Sequence, residues 1–262
     1  MSHPFAAGER VLLVDGKDRR YLVTLRDGGE FHTHAGITAH ADILGRDEGL
    51  TVRSGSGARY LVVRPTLSDF VLTMPRGAQV IYPKDIGPML VMADVFPGAR
   101  VLESGVGSGA LSIALLRAGV ELVGYEIRGD FAAKARANVA AFLGEGIDWQ
   151  VEERDVYAGI AETGLDRVVL DLPEPWRVVD HAQAALHPGG VLVAYLPTIG
   201  QVGQLREALD ASAFGLARTV EVLERSWHVQ GQSVRPDHRM VAHTGFLTSA
   251  RLLRPETSTT ER

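Results

Sequence analysis

Cysteine is absent from the 262 residues of the sequence. Its absence excludes disulfides, thiol nucleophiles and zinc sites built on cysteine. Long apolar runs are absent as well, because no stretch reaches the roughly 18 consecutive apolar residues that a membrane-spanning helix needs. The N-terminus, Met1–Phe5, lacks the basic and apolar regions of a signal peptide. We therefore predict a cytoplasmic protein without membrane contact, whose chemistry comes from oxygen and nitrogen groups or from a cofactor.

Positive charge is not in excess either. The 27 lysines and arginines are outnumbered by 32 aspartates and glutamates, which gives a formal net charge of −5. This balance argues mildly against a nucleic-acid partner, since polyanions are normally bound by basic surfaces. The segment from Arg225 to Arg254 differs from this average, because only one acid, Asp237, stands there among several arginines. The segment is either a phosphate-binding surface or a solvated face.

The length of the chain favours one large domain with a small second one, because single cores rarely grow beyond this size. Short β-like runs separated by turn signals predict a small antiparallel β domain over residues 1–65. The main domain then covers 66–255, and 256–262 is predicted to be a flexible tail. His32 and His34 have no third ligand nearby and are typical of a polar strand face, so we predict no metal site.

Beyond Pro83 strands and helices alternate, which is typical of a mainly parallel sheet covered on both faces. The pattern predicts strands at 100–103, 121–126, 149–153, 167–172 and 190–196, and helices from Pro83 and at 108–117, 129–142, 176–186 and 199–209. The last two apolar runs, 219–229 and 241–253, have no helix between them. We expect them to pair antiparallel around a loop at 231–239.

A glycine-rich loop follows the first of these strands. It consists of seven residues that we take as cofactor-binding candidates: Glu103, Ser104, Gly105, Val106, Gly107, Ser108 and Gly109. Glycines at alternate positions let the backbone turn tightly and approach a ligand without Cβ atoms in the way, which indicates a nucleoside ligand. The loop alone does not separate S-adenosylmethionine from a dinucleotide, because Gly105, Gly107 and Ala110 also satisfy the dinucleotide fingerprint.

Acidic residues at three successive strand ends favour S-adenosylmethionine. Glu103 would repel a diphosphate but suits a cofactor that carries an ammonium and a sulfonium. Glu126 ends the second strand and can accept hydrogen bonds from both ribose hydroxyls, as in either cofactor class. Asp155 follows the third strand, where it could accept from the adenine amino group. The alternatives are a surface carboxylate for Glu126, a helix cap for Asp155, and for Phe131 either an adenine wall or a core position.

The fourth strand ends in Asp171-Leu172-Pro173-Glu174-Pro175-Trp176. Ligands of open parallel sheets bind beyond the carboxyl ends of the strands, so Asp171 is expected in the same crevice as the cofactor. Two prolines stiffen this loop, and the carboxylate could then orient a flat aromatic target. Trp176 is more typical of packing at a helix start than of a stacking platform.

The sequence resembles the bacterial and archaeal tRNA (adenine-58-N1)-methyltransferases over nearly its whole length, in particular their actinobacterial members. The most specific motifs are Tyr82-Pro83-Lys84-Asp85, within a matching run from Met74, and Asp171-Leu172-Pro173 with Pro175-Trp176. The terminal His243-Thr244-Gly245-Phe246-Leu247 also matches, whereas the glycine loop marks only the superfamily. The sequence departs from the family at Gly245, where relatives often carry alanine, and this departure puts no catalytic residue in doubt.

The resemblance implies a class I, Rossmann-like methyltransferase that acts as a homotetramer. It would use S-adenosylmethionine to methylate N1 of an adenine in the T-loop of tRNA. Asp171 would contact both substrates and accept from the exocyclic amino group of the base. Tyr82 would close the pocket or hydrogen-bond the base, with core packing as its alternative. The phosphates would be held by the arginine-rich C-terminal hairpin together with Arg76 or Lys84.

Two other functions remain open from the sequence. A nicotinamide-dependent oxidoreductase is compatible with the glycine spacing and with Glu126. A non-catalytic tRNA-binding subunit is the second, because eukaryotic complexes that resemble this family contain a paralogue that has lost its cofactor loop. Here the glycine loop and Asp171 are both intact, which favours an active enzyme.

Overall fold

The computed structural model describes residues 3–77 and 79–254. The chain divides into two compact units, Met1–Pro75 with Ala140–Glu145, and Arg76–Val139 with Gly146–Arg262. Within the described ranges, no helix is both long and apolar enough to cross a membrane. The tail predicted at 256–262 lies outside the described residues, and the domain boundary at Pro65 stays a prediction.

The first unit is built from antiparallel strands. Its elements are β1 (Arg10–Asp15), β2 (Arg20–Thr24), β3 (Glu30–Thr33), β4 (Gly36–Ala39), β5 (Thr51–Arg53), β6 (Arg59–Val63) and α1 (Leu67–Thr73). Four strands form a sheet in the order β2-β1-β6-β5, and β3 pairs with β4. Alternating residues of β1 and β6, such as Leu13 and Val62, join Phe5 in a small core. This confirms the predicted N-terminal β region.

The remaining strands form a seven-stranded sheet and a separate two-stranded hairpin, and they alternate in part with helices. The strands are β7 (Arg100–Ser104), β8 (Glu121–Glu126), β9 (Gln150–Glu153), β10 (Leu165–Asp171), β11 (Leu186–Leu196), β12 (Phe214–Glu221), β13 (Trp227–Gln230), β14 (Ser233–Pro236) and β15 (Phe246–Leu252). The helices are α2 (Pro83–Met92), α3 (Ala110–Arg117), α4 (Gly129–Leu143), α5 (Val179–Ala185) and α6 (Ile199–Asp210). The sheet order is β12-β15-β11-β10-β7-β8-β9.

Five neighbouring strands of this sheet are parallel, and β15 pairs antiparallel with both β11 and β12. The predicted fold class is therefore confirmed. The central strands are almost wholly apolar because they are buried on both faces, as Val168–Leu170 and Leu192–Leu196 illustrate. The chain leaves β7 towards β8 on one side and returns to β10 on the other. The carboxyl ends of β7 and β10 thus form the switch point at which open α/β sheets bind ligands.

Three predicted elements differ from the structure. The helix expected over 176–186 is a 3₁₀ turn at Pro175–Val178 followed by α5, because Leu186 is already extended and pairs with Leu165. The loop expected at 231–239 contains β14, which pairs antiparallel with β13 just before it. The predicted run 219–229 joined two separate strands, since apolar residues continue through Val222 and Leu223 after β12 has ended.

Candidate active site

The glycine loop begins where β7 ends, and its conformation requires glycine. Gly105, Gly107 and Gly109 all have positive φ, at 86°, 56° and 82°. A Cβ on Gly105 would lie 2.0 Å from the carbonyl oxygen of Asp171, and one on Gly109 would lie 3.2 Å from Ala135 Cα. Helix α3 starts at Ala110 rather than at the predicted position 108, because left-handed Gly109 is its N-cap. The tight turn inferred from the sequence is present.

Three carboxyl groups gather beside this loop. Glu103 is buried and accepts a hydrogen bond of 2.6 Å from Ser112 Oγ. Burial raises the pKa of Glu103 to about 8, and the charges of Asp171 and Glu126 add to the rise. Burial and the Glu126 carboxylate likewise raise the pKa of Asp171 to about 7. Like charges held together in a poorly solvated place favour a cationic ligand, which would relieve both effects.

Glu126 ties the end of β8 to the glycine loop. Its Oε2 accepts from the Gly107 backbone N–H at 2.8 Å, and its Oε1 accepts from the Arg128 N–H at 3.0 Å. The side chain is buried, so the alternative of a surface carboxylate is wrong. Each carboxylate oxygen can accept a second hydrogen bond. The arrangement can therefore still receive two hydroxyl donors.

A small cleft opens between the loop, Asp171 and the segment that precedes α2. Its lining comprises Gln79, Val80, Ile81, Glu103, Gly105, Val106, Gly107, Ser108, Ala110, Leu111 and Asp171. Ser108 Oγ is buried there without a hydrogen-bond partner in the described structure. A nucleoside cofactor with hydroxyl and amino groups fits such an orphaned oxygen. Five residues predicted to bind the cofactor are not in this lining: Ser104, Gly109, Glu126, Phe131 and Asp155.

The sequence did not identify Gln79–Ile81 as part of this cleft. Val80 and Ile81 are buried, and they enter the cleft from the turn just before α2. Their apolar character gave no functional signal, because buried apolar residues before a helix are usually core. The signal lay in their place within the motif that ends at Asp85.

Asp155 and Phe131 are found at the ends of their predicted elements. Asp155 Oδ1 accepts from the Tyr157 N–H at 2.9 Å and caps a 3₁₀ helix, so the helix-cap alternative describes its contact in the structure. Its contact with adenine stays a prediction. Phe131 is half-buried, and the Arg128 guanidinium lies 3.8 Å from its ring centroid. A Cβ on Gly77 would come within 2.8 Å of the same ring.

One tyrosine stands beside Asp171 and a second lies close to the first. Tyr195 is the register partner of Asp171 on the neighbouring strand β11. Its hydroxyl donates to the Thr244 carbonyl at 2.5 Å, and burial raises its pKa to about 12, with added repulsion from Asp85, Asp171 and Tyr82. Tyr82 is half-buried at the N-cap of α2. Tyr195 therefore stands next to Asp171 on the neighbouring strand, which the sequence did not reveal.

Comparisons with known proteins agree with this geometry. The family profile described as the tRNA methyltransferase complex GCD14 subunit matches residues 59–240, and a profile described as TrmI-like N-terminal matches residues 4–52. A Thermus thermophilus protein named tRNA (adenine(58)-N(1))-methyltransferase TrmI is 42% identical over 250 residues, which cover 92% of this chain and 96% of the relative. The chain belongs to the tRNA (adenine-58-N1)-methyltransferase family.

Solved structures similar to this family member share its fold. The structure of a SAM-dependent O-methyltransferase from Thermotoga maritima superposes with a TM-score of 0.92 at 32% identity, covering 97% of this chain and 96% of that one. The tRNA (m1A58) methyltransferase TrmI of Aquifex aeolicus has a TM-score of 0.85 at 29% identity, with coverages of 96% and 100%. These matches extend through both compact units.

Lys84 in the family motif is not where the sequence analysis expected it. Its ammonium is buried and donates to Asp85 Oδ1 at 2.8 Å and to the Val222 carbonyl at 2.6 Å. A lysine held in this way cannot reach a phosphate, so that prediction is wrong. Arg76 is exposed, and its contact with a phosphate stays a prediction. Trp176 packs against the main core, as predicted.

Proposed function

We propose that this chain transfers a methyl group from S-adenosylmethionine to N1 of adenine 58 in the T-loop of tRNA, giving 1-methyladenosine. The observation that carries the proposal is the contact of the glycine loop with Asp171, beside a buried cluster of carboxyl groups. A sulfonium cofactor would favour the ionised form of Glu103 and lower its raised pKa, whereas the diphosphate of a dinucleotide would oppose that ionisation. The relatives named above support the choice of substrate.

Several residues would hold the cofactor. Glu126 would bind the ribose hydroxyls, Ser108 Oγ would make a further hydrogen bond, and Phe131 would cover the adenine together with Asp155. Glu103 would face the positive end of the molecule, where burial strengthens the attraction. When bound, S-adenosylmethionine supplies a methyl group on a positively charged sulfur.

The protein's contribution to the reaction is chiefly positioning. Adenine N1 already carries an in-plane lone pair, so no strong base is needed, and alignment of this lone pair with the methyl carbon lowers the barrier. Asp171, once ionised, accepts from the exocyclic amino group and stabilises the positive charge that the base acquires. A cation in the crevice lowers the raised pKa of Asp171, which favours the ionised form needed here. Tyr82 and Tyr195 would confine the base.

The target base must leave its stack to reach this crevice, as in other base-modifying enzymes. The arginine-rich segment is suited to hold the surrounding phosphates. Its five arginines are exposed, and within residues 3–77 and 79–254 none has a carboxylate at ion-pair distance; they are Arg225, Arg235, Arg239, Arg251 and Arg254.

We further propose that the enzyme is a cytoplasmic homotetramer with residues 1–65 and 66–255 as its two domains. Exposed apolar side chains on the β13–β14 hairpin support self-association, since contiguous apolar surface usually marks an interface. Trp227, Val229 and Val234 are 57%, 70% and 60% exposed. Light scattering during gel filtration measures the assembly directly.

Nucleoside analysis tests the proposed activity. The protein is incubated with methyl-labelled S-adenosylmethionine and an unmodified tRNA transcript, and the digested RNA is analysed by mass spectrometry. We expect label in 1-methyladenosine, and none in a matched transcript that carries guanosine at position 58. Equal labelling of the two transcripts would refute the site, and tRNA binding without any label would indicate a non-catalytic subunit. Calorimetry that detects NAD but not S-adenosylmethionine would indicate the oxidoreductase.

A further inference from the structure

A second cluster of buried polar groups lies at the start of α2, outside the cofactor cleft. The side chains of Lys84 and Asp85 are only 2% and 0% exposed. Lys84 Nζ donates to Asp85 Oδ1, and Thr244 Oγ1 donates to Asp85 Oδ2 at 2.6 Å. Lys84 Nζ also donates to the Val222 carbonyl. We refer to Lys84, Asp85 and Thr244 as the clasp.

The clasp joins three places that are far apart in the sequence. Val222 directly follows β12, and Thr244 lies two residues before β15. The segment between them carries the β13–β14 hairpin and three of the five exposed arginines, Arg225 being the first. Both ends of this segment are therefore fastened to the first turn of α2.

The clasp also reaches the acceptor side of the crevice. Thr244 makes two hydrogen bonds. Its hydroxyl donates to Asp85, and its carbonyl accepts from the hydroxyl of Tyr195. Tyr195 stands in register beside Asp171. On the other side, Tyr82 immediately precedes the helix that contains Asp85. A displacement of the clasp would therefore move both tyrosines relative to the Asp171 carboxylate.

Stability alone does not account for such a cluster. A buried ion pair is often no more stabilising than apolar side chains of the same volume, because removing the charges from water offsets their attraction. Hydrogen bonds, unlike apolar contacts, are directional, and these fix the distances between α2, Val222 and Thr244. The clasp therefore restricts geometry at a place adjoining the reaction centre.

We propose that the clasp is a positioning device for the acceptor base, which holds Tyr82, Tyr195 and the ends of the arginine-bearing segment in place beside Asp171. The proposal rests on the proposed function, because it assigns these residues to the tRNA side of the same site. We expect cofactor binding to be independent of the clasp, since none of its members lines the cofactor cleft or belongs to the residues proposed to hold the cofactor.

The test replaces Thr244 by valine, which keeps the shape of the side chain and removes the hydroxyl. We expect kcat on tRNA to fall about tenfold or more, because small misplacements of reacting groups have effects of this size. The Kd for S-adenosylmethionine, measured by calorimetry, should stay within about twofold, and Thr244→Ser should restore kcat. The matched control is Thr219→Val, which removes the 2.8 Å hydrogen bond to Thr248 between β12 and β15 without touching α2.

Hydrogen exchange gives a readout that needs no activity. Peptides from 223–243 should exchange faster in Thr244→Val than in Thr219→Val, both without tRNA. If Thr244→Val does not fold, Asp85→Asn takes its place, because it keeps the volume and removes the charge. The proposal is overturned if kcat of the folded variant stays within twofold of the parent, if Thr244→Ser does not restore it, or if kcat of Thr219→Val falls as far. A parent that makes no 1-methyladenosine at position 58 instead refutes the proposed function.

Discussion

The backbone of Gly105 lies so close to Asp171 that a Cβ at position 105 would sit 2.0 Å from the Asp171 carbonyl oxygen. Gly105 follows β7 and Asp171 ends β10, and these two strands are parallel neighbours. The loop proposed to hold the methyl donor and the carboxylate proposed to hold the acceptor base are thus joined through one backbone contact. Glycine at position 105 is required by the protein itself, before any ligand is considered.

Gly105→Ala should destabilise the cofactor-free protein more than Gly107→Ala does. Both positions have positive φ, which costs about 1–2 kcal/mol for a residue with a Cβ. Only at Gly105 does the new atom also meet backbone, since the nearest atom to a Cβ at Gly107 is 3.9 Å away. Urea denaturation without ligand measures the difference. Equal free energies of unfolding for the two variants would contradict the contact.

The stability of the cofactor-free protein should fall as the pH rises from 4.5 towards 8. The pKa of Glu103 rises from 4.5 to about 8 on folding, mainly through burial. The folded state therefore holds a proton that the unfolded state has released, and in this window stability decreases with pH. Glu103→Gln stays neutral and can still accept from Ser112, so its stability should depend less on pH. Urea denaturation of both proteins at pH 6 and pH 8 tests this. An equal change in the free energy of unfolding between the two pH values would rule it out.

Asp171→Ala should lower turnover by about a hundredfold, a larger effect than its change in the affinity for S-adenosylmethionine. Removal of one group that stabilises developing charge typically has an effect of this size. Asp171→Asn should also be slow, because its amide oxygen accepts a hydrogen bond but carries no charge. Single-turnover rates on tRNA and calorimetric Kd values separate the two steps. Wild-type turnover in Asp171→Ala would remove the residue from the mechanism.

Local sequence signals were enough to predict the parallel sheet and several residues of the candidate site. Apolar strands bracketed by turn residues predicted the alternation, and acids at strand ends marked Glu103, Glu126 and Asp171. Strand ends can be located from local sequence, and the topology of a parallel sheet brings these ends together. The buried state of Glu126 followed only from the fold, because it depends on the glycine loop closing over it.

Features that depend on distant pairing could not be predicted. Tyr195 resembles any apolar strand residue until the register of β10 and β11 places it beside Asp171. Lys84 resembles a surface cation, yet its partner carbonyl, Val222, is 138 residues away along the chain. The sequence predicts a loop over 231–239, where β14 lies, because Val234 of this short strand faces outward rather than towards a core.

Gly245→Ala should be destabilising in this chain. A Cβ there would lie 2.5 Å from Cζ of Tyr195, so the ring has to move and its bond to Thr244 is disturbed. Overpacking of this kind costs about 1–3 kcal/mol. The loss should shrink in a Tyr195→Leu background, which a double-mutant cycle by urea denaturation measures. An equal loss in both backgrounds would show that Tyr195 is not the cause.

Arg235→Ala combined with Arg239→Ala should raise KM for tRNA and weaken its salt dependence. Both side chains are exposed in the segment between β12 and β15. The plot of log K against log salt has a negative slope. Removing one arginine that binds a phosphate makes this slope shallower by about 1, because fewer counterions are released on binding. The Kd for S-adenosylmethionine should not change, since neither residue lines the cleft. Arg218→Ala, which replaces an exposed arginine of β12, is the matched control. If the control and the double variant give the same salt slope, the segment does not bind the phosphates. Self-association would then be the remaining proposed role of this segment, through the exposed apolar residues of its hairpin.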